Sequence, residues 1–334
     1  MLEGLIPGRV AAEHRHRYRV FTGVGQVLAS VSGRFRGEAA GTHEFPAVGD
    51  WVALSVRHDE GTATIHAVLP RKSQFYRQAA GTAGGRQVAA ANVDTVFLVN
   101  GLDNDFNLRR MERYLTLAWE SGADPVIVLN KADCCDDLEQ RLREVESIAF
   151  GVPVHAVSCA TGQGLEGLKP YLGEGRTIAL LGSSGVGKST LINQLLGKDT
   201  QSVGGLRKGD GKGRHTTTYR EMLLLPGGGL VIDTPGMREL RLGTAETGLA
   251  EAFTDIRDLA AGCRFNDCTH SDEPGCAVRD ALEMGELDWA RYESYNKLQK
   301  EIAYQSRREN LGLVLAEREK WKKIHKAARK DGYR

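Results

Sequence analysis

No run of apolar residues in this 334-residue chain approaches the roughly 20 needed to cross a bilayer. The start, MLEGLIPGRV, also lacks the long apolar core of a secretory leader. A membrane protein is excluded on this reading, and the cytoplasm is the expected location. Net charge is nearly absent, at +1, so the chain is not basic throughout. It has no internal repeat, low-complexity tract, heptad pattern or large apolar stripe, which leaves a monomer as the default. Without a secretion signal, six cysteines read as reduced thiols, and three of them crowd into one short stretch.

What charge there is lies unevenly. The tail EREKWKKIHKAARKDGYR, from Glu317, is strongly basic and is read as an RNA contact. Arg9, Arg15, Arg17, Arg19, Arg34 and Arg36 interleave with His14, His16, Tyr18 and Phe35 near the start. They suit either a polyanion or an ordinary solvated strand face.

At this length two or three domains are expected. Residues 1–85 carry short β-type segments, RYRVFTG, QVLASVSGRFR, VGDWVALSV and TATIHAVLP, split by Gly, Asp and Pro. They predict a small all-β barrel of oligonucleotide-binding (OB) type. Trp51 could be a stacking platform, but the alternation in VGDWVAL favours a place in the core. A Gly-rich stretch, Gln78 to Asn92, reads as a linker. Residues 86–245 then alternate buried strands with helices, among them TVFLVN, the helical face Leu108, Met111, Leu115 and Ala118, PVIVLN, and TIALLG. This predicts a doubly wound α/β domain with its ligand loops at the carboxyl ends of the strands. Residues 246–334 read as helices around the cysteine cluster.

Strand TIALLG opens into Gly182-Ser183-Ser184-Gly185-Val186-Gly187-Lys188-Ser189-Thr190, a phosphate-binding loop. Its glycines let backbone amides close on phosphates at a helix N-terminus, Lys188 reaches the β and γ oxygens, and the Ser189 hydroxyl ligates Mg2+. Strand PVIVLN ends in Asn130-Lys131-Ala132-Asp133. A carboxylate such as Asp133 accepts from guanine N1–H and the exocyclic amine together, a donor pair adenine lacks. Asn130 would tie its loop to its neighbours, the Lys131 stem would cover the base, and the turn at Ser158 would offer an amide to the guanine oxygen. Asp233-Thr234-Pro235-Gly236 closes a further strand, with Asp233 able to hold Mg2+ through water and the Gly236 amide able to sense a γ-phosphate. The intervening GLRKGDGKGRHTTTYRE contains Thr216, Thr217 and Thr218. Any of them could close on the metal, and Thr217 is taken as the ligand.

Cys263-x4-Cys268-x-His270-x5-Cys276 offers three thiolates and an imidazole, a set suited to one tetrahedral, structural Zn2+ with no open position. It would staple a loop poor in apolar residues.

In most GTPases the phosphate loop precedes Asn-Lys-x-Asp; here the order is reversed. Cutting and rejoining the chain where its ends lie close keeps the sheet intact. With NKAD, GSSGVGKST, GRHTTT, DTPGMREL and the cysteine cluster, the chain resembles the ribosome small-subunit-dependent GTPases, the circularly permuted RsgA family. The resemblance spans nearly all of it. It implies a circularly permuted P-loop GTPase domain between the OB-type barrel and a helical zinc-binding region. It further implies a slow GTPase acting on GTP, stimulated by the small ribosomal subunit and contacting its rRNA in late maturation. The position after the Asp-x-x-Gly glycine is Met237, which cannot orient a water, so basal turnover should be slow. His215 is the catalytic candidate within the chain, as the resemblance also implies; its other reading is an RNA-facing or solvated residue. Hydrolysis would time release from the subunit. The alternative is a GTP-regulated rRNA-binding module in which hydrolysis is incidental.

Overall fold

A computed structural model describes residues 4–14, 17–57, 61–78, 86–197, 221–233, 240, 242 and 245–308. His215, Thr217 and Gly236 fall outside these residues, as does the basic tail.

Strands β1 (Ile6–His14), β2 (Arg17–Thr22), β3 (Gly25–Val31), β4 (Trp51–Arg57) and β5 (Thr62–Val68) run in the order β1-β2-β3-β5-β4, and β4 returns to pair with β1. The sheet therefore closes on itself through β1 and β4. β3 and β5 are parallel, whereas the other barrel pairs are antiparallel. Val10, Tyr18, Val20, Val52, Leu54 and Ile65 fill the interior. Two expectations are corrected here. QVLASVSGRFR is not one strand: it breaks after Val31, and Ser32 caps helix α1 (Gly33–Glu38) by accepting from the Phe35 amide at 3.1 Å. Trp51 is not core but 41% exposed, under the Arg9 guanidinium at 5.2 Å from its ring centre. Side chains alternate across a strand, so with Val52 and Leu54 inside, Trp51 must face out.

The linker reading is also corrected for residues 86–91. They form β7 (Arg86–Ala91), antiparallel to β6 (Gln74–Gln78). Val88, Ala89, Ala90 and Ala91 are buried because their small side chains permit close approach: the Ala91 amide donates to the Val48 carbonyl at 2.9 Å. β6 and β7 lie on either side of the boundary expected after residue 85.

The central sheet runs β10 (Val154–Ala156), β9 (Asp124–Asn130), β8 (Thr95–Gly101), β11 (Thr177–Leu181), β13 (Leu230–Asp233), β12 (Glu221–Leu224). All neighbours are parallel except β12, which is antiparallel to β13 and bridges to β1 at Ala12 and Glu221. Arg19 on β2 pairs with Glu221, so the barrel and the α/β sheet are joined edge to edge. β8 is buried throughout. Val96 and Leu98 face Met111 and Leu115 of α2 (Leu108–Ser121), while Phe97 and Val99 face Leu168, Val186 and Leu191 on the other side. Helix α3 (Leu138–Glu146) links β9 to β10, and α4 (Lys188–Leu196) follows β11.

Helices α5 (Glu246–Ala252), α6 (Thr254–Ala260), α7 (Ala277–Met284) and α8 (residues 289–308) pack beyond α2. The join is polar as well as apolar. Arg291 of α8 donates to Glu112 of α2 at 3.0 Å and to both carboxylate oxygens of Asp255 at 2.5 and 2.7 Å. Among the described residues no helix is long and apolar enough to cross a membrane.

Candidate nucleotide site and metal cluster

The Gly182–Thr190 and Asn130–Asp133 segments both leave the sheet's carboxyl edge, from β11 and β9, with β8 between them. β11 ends at Leu181, and the chain turns sharply through residues 182–187 into α4. A Cβ on Gly182 would lie 2.3 Å from the Val99 carbonyl oxygen, so only glycine lets the turn lie on β8. Gly187, at φ +98°, is the cap of α4, and Val186 is driven fully into the core. The loop is thereby pinned at one residue while Ser184 and Gly185 remain exposed. Lys188 donates to the carbonyls of Gly182 at 2.7 Å and Ser183 at 2.5 Å. Ser189 and Thr190 follow in the first turn of α4, half-buried.

β9 delivers Asn130 to the same edge, two strands away. Its buried amide donates to Val186 of the loop at 2.8 Å and accepts from the Cys159 amide at 3.0 Å. One side chain thus bonds both the phosphate loop and the turn after β10. Lys131 takes φ +67°, a left-handed conformation that turns the chain abruptly out of the strand. The Ala132 amide donates to Val157 at 3.0 Å, which closes the 130–134 and 157–163 segments on one another. Asp133 is left exposed; hydrogen bonds from Ser158 and from the Cys134 thiol hold its carboxyl below its usual range. The arrangement presents an ionised acceptor to solvent, beside the loop that would carry phosphates.

Asp233 ends β13 opposite Glu221. Two residues missed by the sequence reading enter from the loop after β8: Asp103 pairs with Lys131 at 2.6 Å, and Asp105 accepts from the Ser183 hydroxyl. Their only sequence signal was the pair of acids in GLDNDFN, directly after a central strand.

Away from this edge, the ligand atoms of Cys263, Cys268, His270 and Cys276 all lie within 4.8 Å of one another. Bonds of about 2.3 Å to sulfur and about 2.0 Å to nitrogen in a tetrahedron require edges of roughly 3.8 Å between sulfurs and roughly 3.6 Å from sulfur to nitrogen. Cys263 and Cys276 sulfurs are 3.9 Å apart, and the His270 Nδ1 is 3.6 and 3.4 Å from them. The donor set and its spacing fit a four-coordinate ion such as zinc. His270 sits at φ +60°, and its carbonyl accepts from the Tyr292 hydroxyl at 2.9 Å, which orients the ligand from α8. Burial pushes the Cys263 thiol up, but the amides of Val278 and Ala277 at the start of α7, with the neighbouring thiols, bring it net below its usual value.

Comparison with known proteins agrees with this geometry. A family model described as RsgA GTPase matches residues 68–243. A protein named small ribosomal subunit biogenesis GTPase RsgA from Opitutus terrae is 53% identical over 98% of this chain and 92% of its own length. One from Lactiplantibacillus plantarum, of the same name with the suffix 2, is 52% identical over 90% of this chain and 85% of its own. The crystal structure of YjeQ from Thermotoga maritima superposes with a TM-score of 0.66 at 32% identity, covering 90% of this chain and 99% of that one. YloQ, described as a circularly permuted GTPase, reaches 0.65 at 24% identity, over 91% of this chain and 96% of that one, and supports the fold. With its guanine-type motif ahead of its phosphate loop on one parallel sheet, a barrel before them and a cysteine cluster after, this chain belongs to the RsgA GTPase family.

Proposed function

We propose that this GTPase binds the small ribosomal subunit through its rRNA, hydrolyses GTP when the subunit stimulates it, and uses that hydrolysis to time its own release late in subunit maturation. The observation that carries the reading is Asn130, which bonds the phosphate loop with its amide nitrogen and the neighbouring turn with its oxygen. A base reader coupled to a phosphate cradle in this way suits one guanine nucleotide lying across both. The names of the relatives supply the ribosomal context.

In this reading Asp133 pairs with the guanine edge, the Lys131 stem covers the base, and an amide of the Ser158 turn meets the guanine oxygen. The amides of residues 182–190 and the Lys188 ammonium take the phosphates. Ser189, Thr217 and Asp233 would hold Mg2+, which when bound neutralises charge on the phosphate oxygens. Gly236 senses the γ-phosphate. His215 orients the attacking water, since Met237 offers no hydrogen bond for that task. The four-ligand cluster holds Zn2+ in a purely structural role and keeps the C-terminal region folded against α2. The barrel and the basic tail contact RNA. The domains divide near residues 85 and 245, and the protein works in the cytoplasm as a monomer.

The test is phosphate release from GTP, with ATP as the control, in the presence and absence of purified small subunits. Strong stimulation confined to GTP supports the reading. S189A and H215A should then remain on the subunit; release at the native rate by both would show that hydrolysis is incidental.

A further inference from the structure

The loop from β8 to α2 carries two carboxylates that reach different halves of the nucleotide site. Asp103 takes the Lys131 ammonium at 2.6 Å. Asp105, two residues on, accepts from the Ser183 hydroxyl at the first turn of the phosphate loop. Neither acid belongs to a nucleotide motif.

The loop itself is held stiffly. The Asp103 carboxylate also accepts from the Asp105 amide at 3.1 Å, and its carbonyl accepts from the Phe106 amide at 3.0 Å. Phe106 packs on the core and lies under Arg141, 4.6 Å from its ring centre. Asn107 caps α2 by accepting from the Arg110 amide at 2.9 Å, and the Arg110 guanidinium pairs with Asp105 at 2.9 Å. The Leu102 amide donates to the Asn130 carbonyl at 2.8 Å, which registers the loop against the end of β9.

This placement has a chemical consequence for each acid. A lysine stem covers a planar base only while its flexible four-carbon chain is extended, and a fixed anion at its tip restricts the rotamers it samples. A carboxylate close to a phosphate loop would ordinarily repel the ligand, yet Arg110 balances its charge, so Asp105 can orient Ser183 without an uncompensated anion beside the phosphates.

We propose that the β8–α2 loop is the positioning element of the guanine-nucleotide site, with Asp103 acting through Lys131 on the base and Asp105 acting through Ser183 on the phosphate loop. The inference rests on the guanine-nucleotide reading of that site. Both acids are positioning residues rather than catalytic ones.

Double-mutant cycles in the full chain, read by equilibrium binding of a fluorescent GDP, test it. Because the Asp103 and Lys131 side chains are about one-third exposed, D103A should weaken GDP binding by about three- to fivefold. In a K131A background the same change should cost nothing further. D105A should likewise lose its effect in an S183A background, and D103E should recover part of the loss caused by D103A. Asp103 is exposed, so its variants should keep the native melting temperature, and D105A can be checked by the same measurement. Full additivity in both cycles would overturn the proposal, because each acid would then act independently of its partner. Failure of the native chain to bind GDP at all would overturn the guanine reading, and the proposal with it.

Discussion

The side-chain amide of Asn130 spans two loops, giving a hydrogen to Val186 at 2.8 Å and taking one from Cys159 at 3.0 Å while itself 3% exposed. Removing it would leave a buried carbonyl and a buried amide without partners, at about 1–3 kcal/mol each. N130A is therefore expected to weaken GDP binding at least about tenfold. N130D should not rescue it, since a carboxylate can accept from Cys159 but only repels the Val186 carbonyl. Titration with a fluorescent nucleotide checks both.

Gly187 faces that same amide. A Cβ there would stand 2.2 Å from the Asn130 Nδ2, on a backbone at φ +98°. G187A combines left-handed strain of about 1–3 kcal/mol with displacement of Asn130, so nucleotide affinity should fall further than in N130A. Equal affinities in the two variants would mean that the displacement is absorbed elsewhere.

Cys134 donates to the Asp133 carboxylate at 3.3 Å, and that hydrogen bond and the nearby charge raise its pKa above the ordinary value. At pH 7.5 its thiolate fraction is thus smaller than that of a free cysteine. D133N removes the charge, lowers the thiol pKa and should speed alkylation of Cys134. Cys159, buried and pushed up to about 11, should stay unlabelled in both proteins. Mass spectrometry of iodoacetamide-treated protein distinguishes the sites.

Arg291 and Glu112 are nearly fully buried, and Arg291 also bonds Asp255 and the Ala252 carbonyl at 3.1 Å. R291A takes the arginine from Asp255 and leaves the wholly buried Glu112 with Arg109 alone, at 2.6 Å, as its cation, so chemical denaturation should show a loss of about 2–3 kcal/mol. R291K retains the charge but not the forked geometry and should recover only part of it.

Without a metal, the Cys263, Cys268, His270 and Cys276 cluster is three thiols and an imidazole crowded together, joined by a stretch, 264–275, whose other residues are mostly exposed. Strong chelation should expose residues 262–276 to proteases and lower the melting temperature, both reversed by added zinc. C276S should resemble the chelated protein. Unchanged proteolysis would mean that the loop folds without an ion.

Much of the candidate site is legible in the sequence because the chemistry it would perform is local. A phosphate loop needs glycines at fixed offsets before a helix, and a metal cluster needs soft ligands within a short span. These constraints act over a few residues and are written into the chain as spacing. The reversed order of the two nucleotide motifs, likewise legible, already implied a permuted sheet, which the strand order bears out.

Tertiary structure decided whatever depends on residues far apart in the chain. Strand alternation has two phases, and only closure of the barrel puts Val52 inside and Trp51 out. An alanine-rich run resembles a linker until β6 supplies its partner. Asp103 and Lys131 are 28 positions apart, Asp105 and Ser183 78, and Glu112 and Arg291 179. Such pairs form when packing brings together elements whose local sequences carry no record of each other, so the sequence names the groups while the fold chooses their partners.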